Sequence, residues 1–221
     1  MPEYAKFAKI VPQTNTLTNR GFQGYVTLPS SKSMPSGYIN MYCGVAGFEC
    51  GVSSAADSRF YDPTTKTYKW HWFVNGPEVK NGEPYTQFKD GERIHLKLVL
   101  RDDGFVEFFV NFKSVFVSQG TYTTSSSTDK AARFIFGTLQ NQYETLPSQL
   151  PAWKLSFSKI TCDTMMFKGP GKNADWINVT SSNTKAILAH TPTTMTNPAP
   201  ADINGTTNDL ANARYAVSMT V

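Results

Sequence analysis

Large apolar residues recur at every second position through much of the chain. Ile94, Leu96, Leu98 and Leu100 alternate with His95, Lys97 and Arg101, and Trp153, Leu155 and Phe157 alternate with Lys154, Ser156 and Ser158. A period of two puts successive side chains on opposite faces of a strand, so the first set of each pair faces a core and the second faces away. Runs rich in β-branched and aromatic residues at 22–28, 38–43, 48–54, 68–74, 92–101, 105–111, 114–118, 131–138, 153–167 and 214–221 suit strands in the same way. Between them stand turn signals at short intervals, among them Pro35-Ser36-Gly37, Asn75-Gly76-Pro77, Asn81-Gly82, Asp90-Gly91 and Asp102-Asp103-Gly104. No segment carries a sustained helical period. The pattern predicts an all-β, antiparallel two-sheet sandwich, with 92–101, 105–111 and 114–118 forming a three-stranded meander.

The stretch KWHWFVN (69–75) refines the picture. As a strand it places Tyr68, Trp70, Trp72 and Val74 on one face and Lys69, His71, Phe73 and Asn75 on the other. Trp70 and Trp72 are then core, and His71 and Phe73 turn to the functional side. Residues of about 180–212 differ, being rich in Thr, Asn, Pro and Ala with few large apolar side chains. They read as a long surface loop before a final strand, within one domain over 1–221.

Composition narrows the function classes. The chain has 221 residues, 40% hydrophobic and 13% aromatic, enough for a sizeable core. Only 17% are charged, and the net charge of +4 comes from scattered Lys and Arg with no basic cluster of the kind that follows a phosphate backbone, so nucleic acid is not the expected partner. No apolar stretch is long enough to span a bilayer, and the first residues lack the apolar region of a signal peptide. Low charge with abundant Thr, Ser, Asn and Gly nevertheless fits a secreted or cell-surface β protein. Asn178-Val179-Thr180 and Asn204-Gly205-Thr206 have the form of glycosylation sequons. The three cysteines, Cys43, Cys50 and Cys162, match no zinc spacing, and no metal or cofactor is expected. Cys43 and Cys50 flank a Gly-rich turn and either face one another as a disulfide or stay buried free thiols.

The paired runs GYINMYCGVAGFECGVSS, the hairpin FVNFKSVFV and the late stretch ARFIFGT followed by PAWKLSFSKITCDTMMFKG resemble the concanavalin A-like lectin and glucanase superfamily over roughly 20–167. The resemblance implies a jelly-roll sandwich and a carbohydrate-related role. The Glu-x-Asp-x-Glu acid pair of the glucanases, the alginate lyase motifs and the legume-lectin calcium loop do not occur, so the resemblance transfers no functional residue. ADWINV (174–179) is similar to a Glu-bearing strand of the glutamic peptidases, also β-sandwiches, but Asn178, Val179 and Thr180 stand where their glutamate would follow the Trp. A tryptophan closing one end of the sandwich explains Trp176 as well.

The faces opposite the core collect the candidate ligand-binding residues Tyr42, Glu49, His71, Phe73, His95 and Arg133, with Asn40, Lys97, Glu107 and Phe109 beside them. Flat apolar rings for a pyranose face and planar polar groups for hydroxyls are what a sugar-binding sheet needs. The leading expectation is a carbohydrate-binding protein acting on a polysaccharide or glycan without changing it. A polysaccharide lyase or glycosidase using Tyr42 and the histidines is the alternative, and a structural or assembly protein a second one. Arg133 pairs either with a substrate carboxylate or with Glu49 or Glu107. No Gly-x-Ser-x-Gly elbow or Gly-rich phosphate loop occurs.

Overall fold

The computed structural model describes residues 4–82, 88–125, 127, 130–144, 154–188, 204–209 and 212–219. Its strands are β1 (Tyr4–Thr14), β2 (Gly21–Thr27), β3 (Lys32–Ser33), β4 (Tyr38–Val45), β5 (Phe48–Ala55), β6 (Tyr61–Asp62), β7 (Thr67–Tyr68), β8 (Trp70–Asn75) and β9 (Lys80–Asn81). The second half continues with β10 (Arg93–Leu100), β11 (Phe105–Val110), β12 (Lys113–Thr121), β13 (Arg133–Glu144), β14 (Ser156–Lys168), β15 (Trp176–Asn178), β16 (Thr184–Leu188), β17 (Asn204–Asp209) and β18 (Arg214–Met219). Among the described residues there is no α-helix. Among the same residues no helix is long and apolar enough to cross a membrane.

A seven-stranded sheet runs β16-β1-β13-β4-β5-β8-β9, and a larger one runs β12-β11-β10-β2-β14-β18-β17, with β3 and β15 also on β14. All pairings are antiparallel. The two sheets pack face to face through one apolar core, as the jelly-roll expectation requires. Every second residue of β10 faces inward: Ile94, Leu96, Leu98 and Leu100 are all fully buried. Trp70 and Trp72 lie in the same core, at 1% and 6% exposure, as the face assignment of KWHWFVN predicts. Leu155 and Phe157 are buried too, whereas Trp153 lies outside the described residues.

Two hairpins fix the registers that matter. Between β4 and β5 the loop is Ala46-Gly47, with φ of 54° and 87° and Val45 paired to Phe48. Between β11 and β12 it is Asn111-Phe112, with φ of 48° and 66° and Val110 paired to Lys113. Two positive φ angles in a two-residue loop give the turn whose twist matches that of the flanking strands, which sets the pairing on both sides. The meander β10–β11–β12 is present, with Gly104 (φ 90°) in its first turn.

Two expectations need correction. The stretch of about 180–212 is not all loop, since β16 borders β1 and β17 borders β18 at the ends of the two sheets. Edge strands do not need the apolar content that the core demands, and composition therefore hid them. Residues 189–203 lie outside the described residues. His71 and His95 do face away from the core, but neither is solvent-exposed: they are 3% and 5% exposed, because side chains from other elements cover them.

Candidate ligand-binding site

On the outer face of the seven-stranded sheet, antiparallel register aligns one row of positions across five strands. Gln13 stands opposite Arg133, Arg133 opposite Gly44, Gly44 opposite Glu49, and Glu49 opposite Asn75. The glycine separates the two charges. A Cβ there would lie 2.9 Å from Arg133 Cγ and 3.0 Å from its Nε, so the arginine side chain lies across Gly44 itself. From β13 it reaches over β4 and donates from its guanidinium to Glu49 Oε1 on β5 at 3.1 Å. Of the two carboxylates of the chain expected for Arg133, Glu49 and Glu107, it meets Glu49, while Glu107 pairs with Arg101. The pair is largely shielded, with the Arg133 side chain 8% and the Glu49 side chain 24% exposed.

Tyr42 stands on the same face. Burial first, and the Glu49 charge second, hold its pKa well above the usual tyrosine range. Its ring meets Phe73 edge-on, centroids 5.7 Å apart, and packs with Val11 and Ile135 in a small apolar cluster. Opposite Tyr42 stands Gly51, where a Cβ would lie 2.0 Å from the Met41 carbonyl oxygen, so only glycine fits between the strands.

The neighbouring row runs Gly137, Asn40, Ser53, His71. The Ser53 hydroxyl donates to Asn40 Oδ1. Phe60, from the short turn Ser58–Phe60, stacks flat on His71 with ring centroids 3.8 Å apart and planes 7° from parallel. Burial under that ring lowers the His71 pKa to about 4, so the imidazole is neutral at pH 7. Above these groups is an open cleft of about 350 Å³, whose walls also include Tyr38, Asn75, Val79 and Asn81.

Five of the six residues singled out in the sequence, Tyr42, Glu49, His71, Phe73 and Arg133, thus share this face. His95 does not. It sits on the outer face of the other sheet, stacked under Phe112 at 4.2 Å and 11° and touched edge-on by Tyr25. Burial, then the charges of Lys97 and Arg93, lower its pKa to about 4. The two histidines are on opposite sides of the sandwich and cannot work as a pair. Beside His95, Arg93 lies over Tyr25 at 3.7 Å, and Lys97 lies 4.6 Å from the Phe109 ring centroid and 5.5 Å from that of Trp176. Trp176 covers Gly21 on this outer face and does not close an end of the sandwich: a Cβ on Gly21 would come within 2.8 Å of it.

Tyr38, Ser53 and Asn81 line the cleft and escaped sequence reasoning, although the first two share strand parity with Tyr42 and Glu49, and Asn75 lines it on the face where the pattern placed it beside Phe73. A larger cleft of about 450 Å³, between Lys32, Tyr68, Lys69, Trp70 and Asp90, contains none of the predicted site residues. Its principal polar groups are already paired: the Lys32 ammonium and the Trp70 indole N–H both bond Asp90 Oδ1. Among the described residues no three His, Cys, Asp or Glu side chains are grouped to hold a metal ion.

No family model and no curated protein matches this chain. Solved structures do. Scytalido-glutamic peptidase, determined with a peptide-based transition state analog, is similar over 99% of this chain and 100% of its own, at 8% identity and a TM-score of 0.55. SCP-B, a member of the eqolisin family of peptidases in complex with the tripeptide Ala-Ile-His, covers the same shares at 9% identity and a TM-score of 0.53. The Caenorhabditis elegans galectin LEC-6 covers 59% of this chain and 85% of its own, at 10% identity and a TM-score of 0.32. At these identities the likeness is one of fold. The chain has an all-β, antiparallel jelly-roll architecture.

Proposed function

We propose that the outer face of the seven-stranded sheet binds carbohydrate without cleaving it, and that the protein does so outside the cell or at its surface. One observation carries the reading: the Glu49 carboxylate in the cleft is held by the Arg133 guanidinium, which reaches it across Gly44, with Tyr42 on the same face. Planar groups held in this way, beside the rings of Tyr38 and Phe73 and the amides of Asn40, Asn75 and Asn81, suit a neutral polyhydroxylated ligand. The same arrangement disfavours acid–base chemistry. Glu49 already accepts from the Arg133 guanidinium, Tyr42 resists losing its proton, and His71 lies beneath Phe60. The low charge and the Thr, Ser and Asn content support an extracellular setting.

A second reading, an extended peptide in the same cleft, draws its support from the full-length fold neighbours, which hold a peptide-based analog and a tripeptide. One set of measurements separates the possibilities. The folded protein is applied to glycan and peptide arrays, hits are titrated by calorimetry, and polymers are assayed for cleavage. We expect glycan binding with no product, weakened about tenfold or more in Glu49→Gln, since a hydrogen bond to a charged group contributes about 1.5–3 kcal/mol. Binding to peptides alone selects the second reading. Accumulating cleavage product, or no binding to any glycan, overturns the first.

A further inference from the structure

The sequon Asn178-Val179-Thr180 begins on β15, which bonds β14 on one side and, among the described residues, no strand on the other. Its side chains alternate. Val179 is buried in the core at 1% exposure, so Asn178 and Thr180 point outward, and Asn178 is exposed. Among the described residues the fold makes no use of the Asn178 amide. Asn183 closes the turn that follows instead, donating from Nδ2 to the Asn178 carbonyl at 3.0 Å and accepting the Thr180 N–H at Oδ1 at 2.8 Å. The Thr180 hydroxyl bonds the Ser182 hydroxyl at the surface, at 2.9 Å. Two residues before Asn178, and so on the same face of the strand, stands the half-buried Trp176, whose ring covers Gly21 with its centroid 5.5 Å from the Lys97 ammonium. The other sequon, Asn204-Gly205-Thr206, has Asp202 at the corresponding position and no ring.

We propose that Asn178 is an acceptor for an N-linked glycan, and that the first sugar of that glycan packs on Trp176. An asparagine with a threonine two residues on, and no proline between, is the acceptor that the transferase of the secretory pathway reads. The donor is an oligosaccharide joined through its first N-acetylglucosamine to a lipid diphosphate. The Asn178 amide nitrogen attacks the anomeric carbon and the N–C bond forms. The C–O bond to the diphosphate breaks, its electron pair leaving on the lipid diphosphate, and the amide gives one proton to the transferase. Nothing is oxidised or reduced. Such transfer requires export, and so rests on the extracellular setting proposed above. A pyranose held at Asn178 presents its C–H face to the ring of Trp176, which the strand brings to the same side. It also covers the open edge of β15, where Ile177 is 46% exposed, and blunts an edge that would otherwise pair with another chain. The cleft of Glu49 and Tyr42 is on the other sheet, so the glycan leaves it open.

The experiment expresses the full chain behind a cleavable secretion leader in a eukaryotic cell and reads peptide masses and melting temperature. Because the leader is supplied, the outcome depends neither on where the chain naturally resides nor on whether the cleft binds a glycan. Chain retained in the cell is read in the same way, since transfer precedes exit. We expect a glycan on the tryptic peptide 173–185, which holds Asn178 but not Asn204, and none on that peptide in Asn178→Gln or Thr180→Ala. Trimmed to its first sugar, the protein should melt about 1–3 °C above both the same protein freed of sugar by an amidase and Asn178→Gln, the size of shift that one partly exposed contact gives in a domain of this length. Trp176→Leu, which still covers Gly21, should abolish the difference, and Trp176→Tyr, which keeps a flat ring, should retain it. Occupancy and the difference in the unmutated protein are read without either tryptophan variant. A bare Asn178 peptide, a glycan at Asn204 alone, no difference in melting, or a difference that persists in Trp176→Leu overturns the proposal.

Discussion

The outer faces of the two sheets treat the same kind of residue in the same way and differ in what surrounds it. Each carries one histidine, and each histidine is roofed by a phenylalanine from a turn: His71 by Phe60, His95 by Phe112. On the seven-stranded sheet the roof is itself buried, Phe60 being 3% exposed, and beside it the charges of Arg133 and Glu49 are joined across a glycine. On the nine-stranded sheet the roof is an open hairpin tip, Phe112 at 69% exposure, and the neighbouring cations rest on aromatic rings. A side chain that points away from the core is therefore not a side chain in water. What decides is whether another element has been brought over it.

The largest expected break in this comparison is at the roofs. Phe60→Ala should cost about 3–5 kcal/mol in urea unfolding, as for a buried aromatic, whereas Phe112→Ala, mostly exposed, should cost about 1 kcal/mol or less. Equal costs would mean that the two roofs are alike. Acid comes next. Both histidines have folded-state pKa values of about 4, below the ordinary 6.5, so the unfolded chain takes up protons first as the pH falls. Stability from this source is complete above pH 6.5 and declines toward pH 4, by about 3 kcal/mol for His71 if its whole shift is expressed. Unfolding free energies measured between pH 7 and 4 should show that decline, and Phe60→Ala should flatten it by letting His71 titrate nearer 6.5. A profile with no decline over this range would contradict the burial of both rings.

Arg133→Met is expected to follow, at about 1–3 kcal/mol, because Glu49 would keep its shielded position without its cation. Adding Glu49→Gln should recover part of the loss, and a double-mutant cycle in denaturant reads the coupling directly. Smallest is Lys97→Met on the opposite sheet. Two ring contacts at a partly exposed site contribute about 0.5–1 kcal/mol, and methionine can itself pack on the rings. A loss larger than that of Arg133→Met would reverse the view that the seven-stranded face is the more tightly built.

Periodicity made a good deal of this legible. Alternation gave the core side of β10 and β8, and the same parity gathered Tyr42, Glu49, His71, Phe73 and Arg133 on one face. It could not separate His95 from them. In a sandwich, outward positions of both sheets carry the same signature, and only the pairing of strands tells which sheet a residue belongs to. Nor could it foresee the covers on the histidines, because Phe60 and Phe112 come from turns whose paths no alternation describes. Gly44 belongs by sequence to a Gly-rich turn, but its role is to be crossed by the Arg133 side chain paired opposite it, which depends on β13 lying beside β4. The polar strands at the sheet edges escaped for a different reason: they need little apolar content to be held in place by their neighbours' backbones.

Gly44 also makes the cleft unusually easy to rewire in evolution. A change to alanine, reachable through one base substitution, would alter neither charged residue, yet its methyl group would occupy the space through which Arg133 passes. Glu49 would then be released to seek another partner, whether solvent or a bound molecule. A lineage could in this way move between a cleft whose acid is held and one whose acid is available, without touching the acid itself.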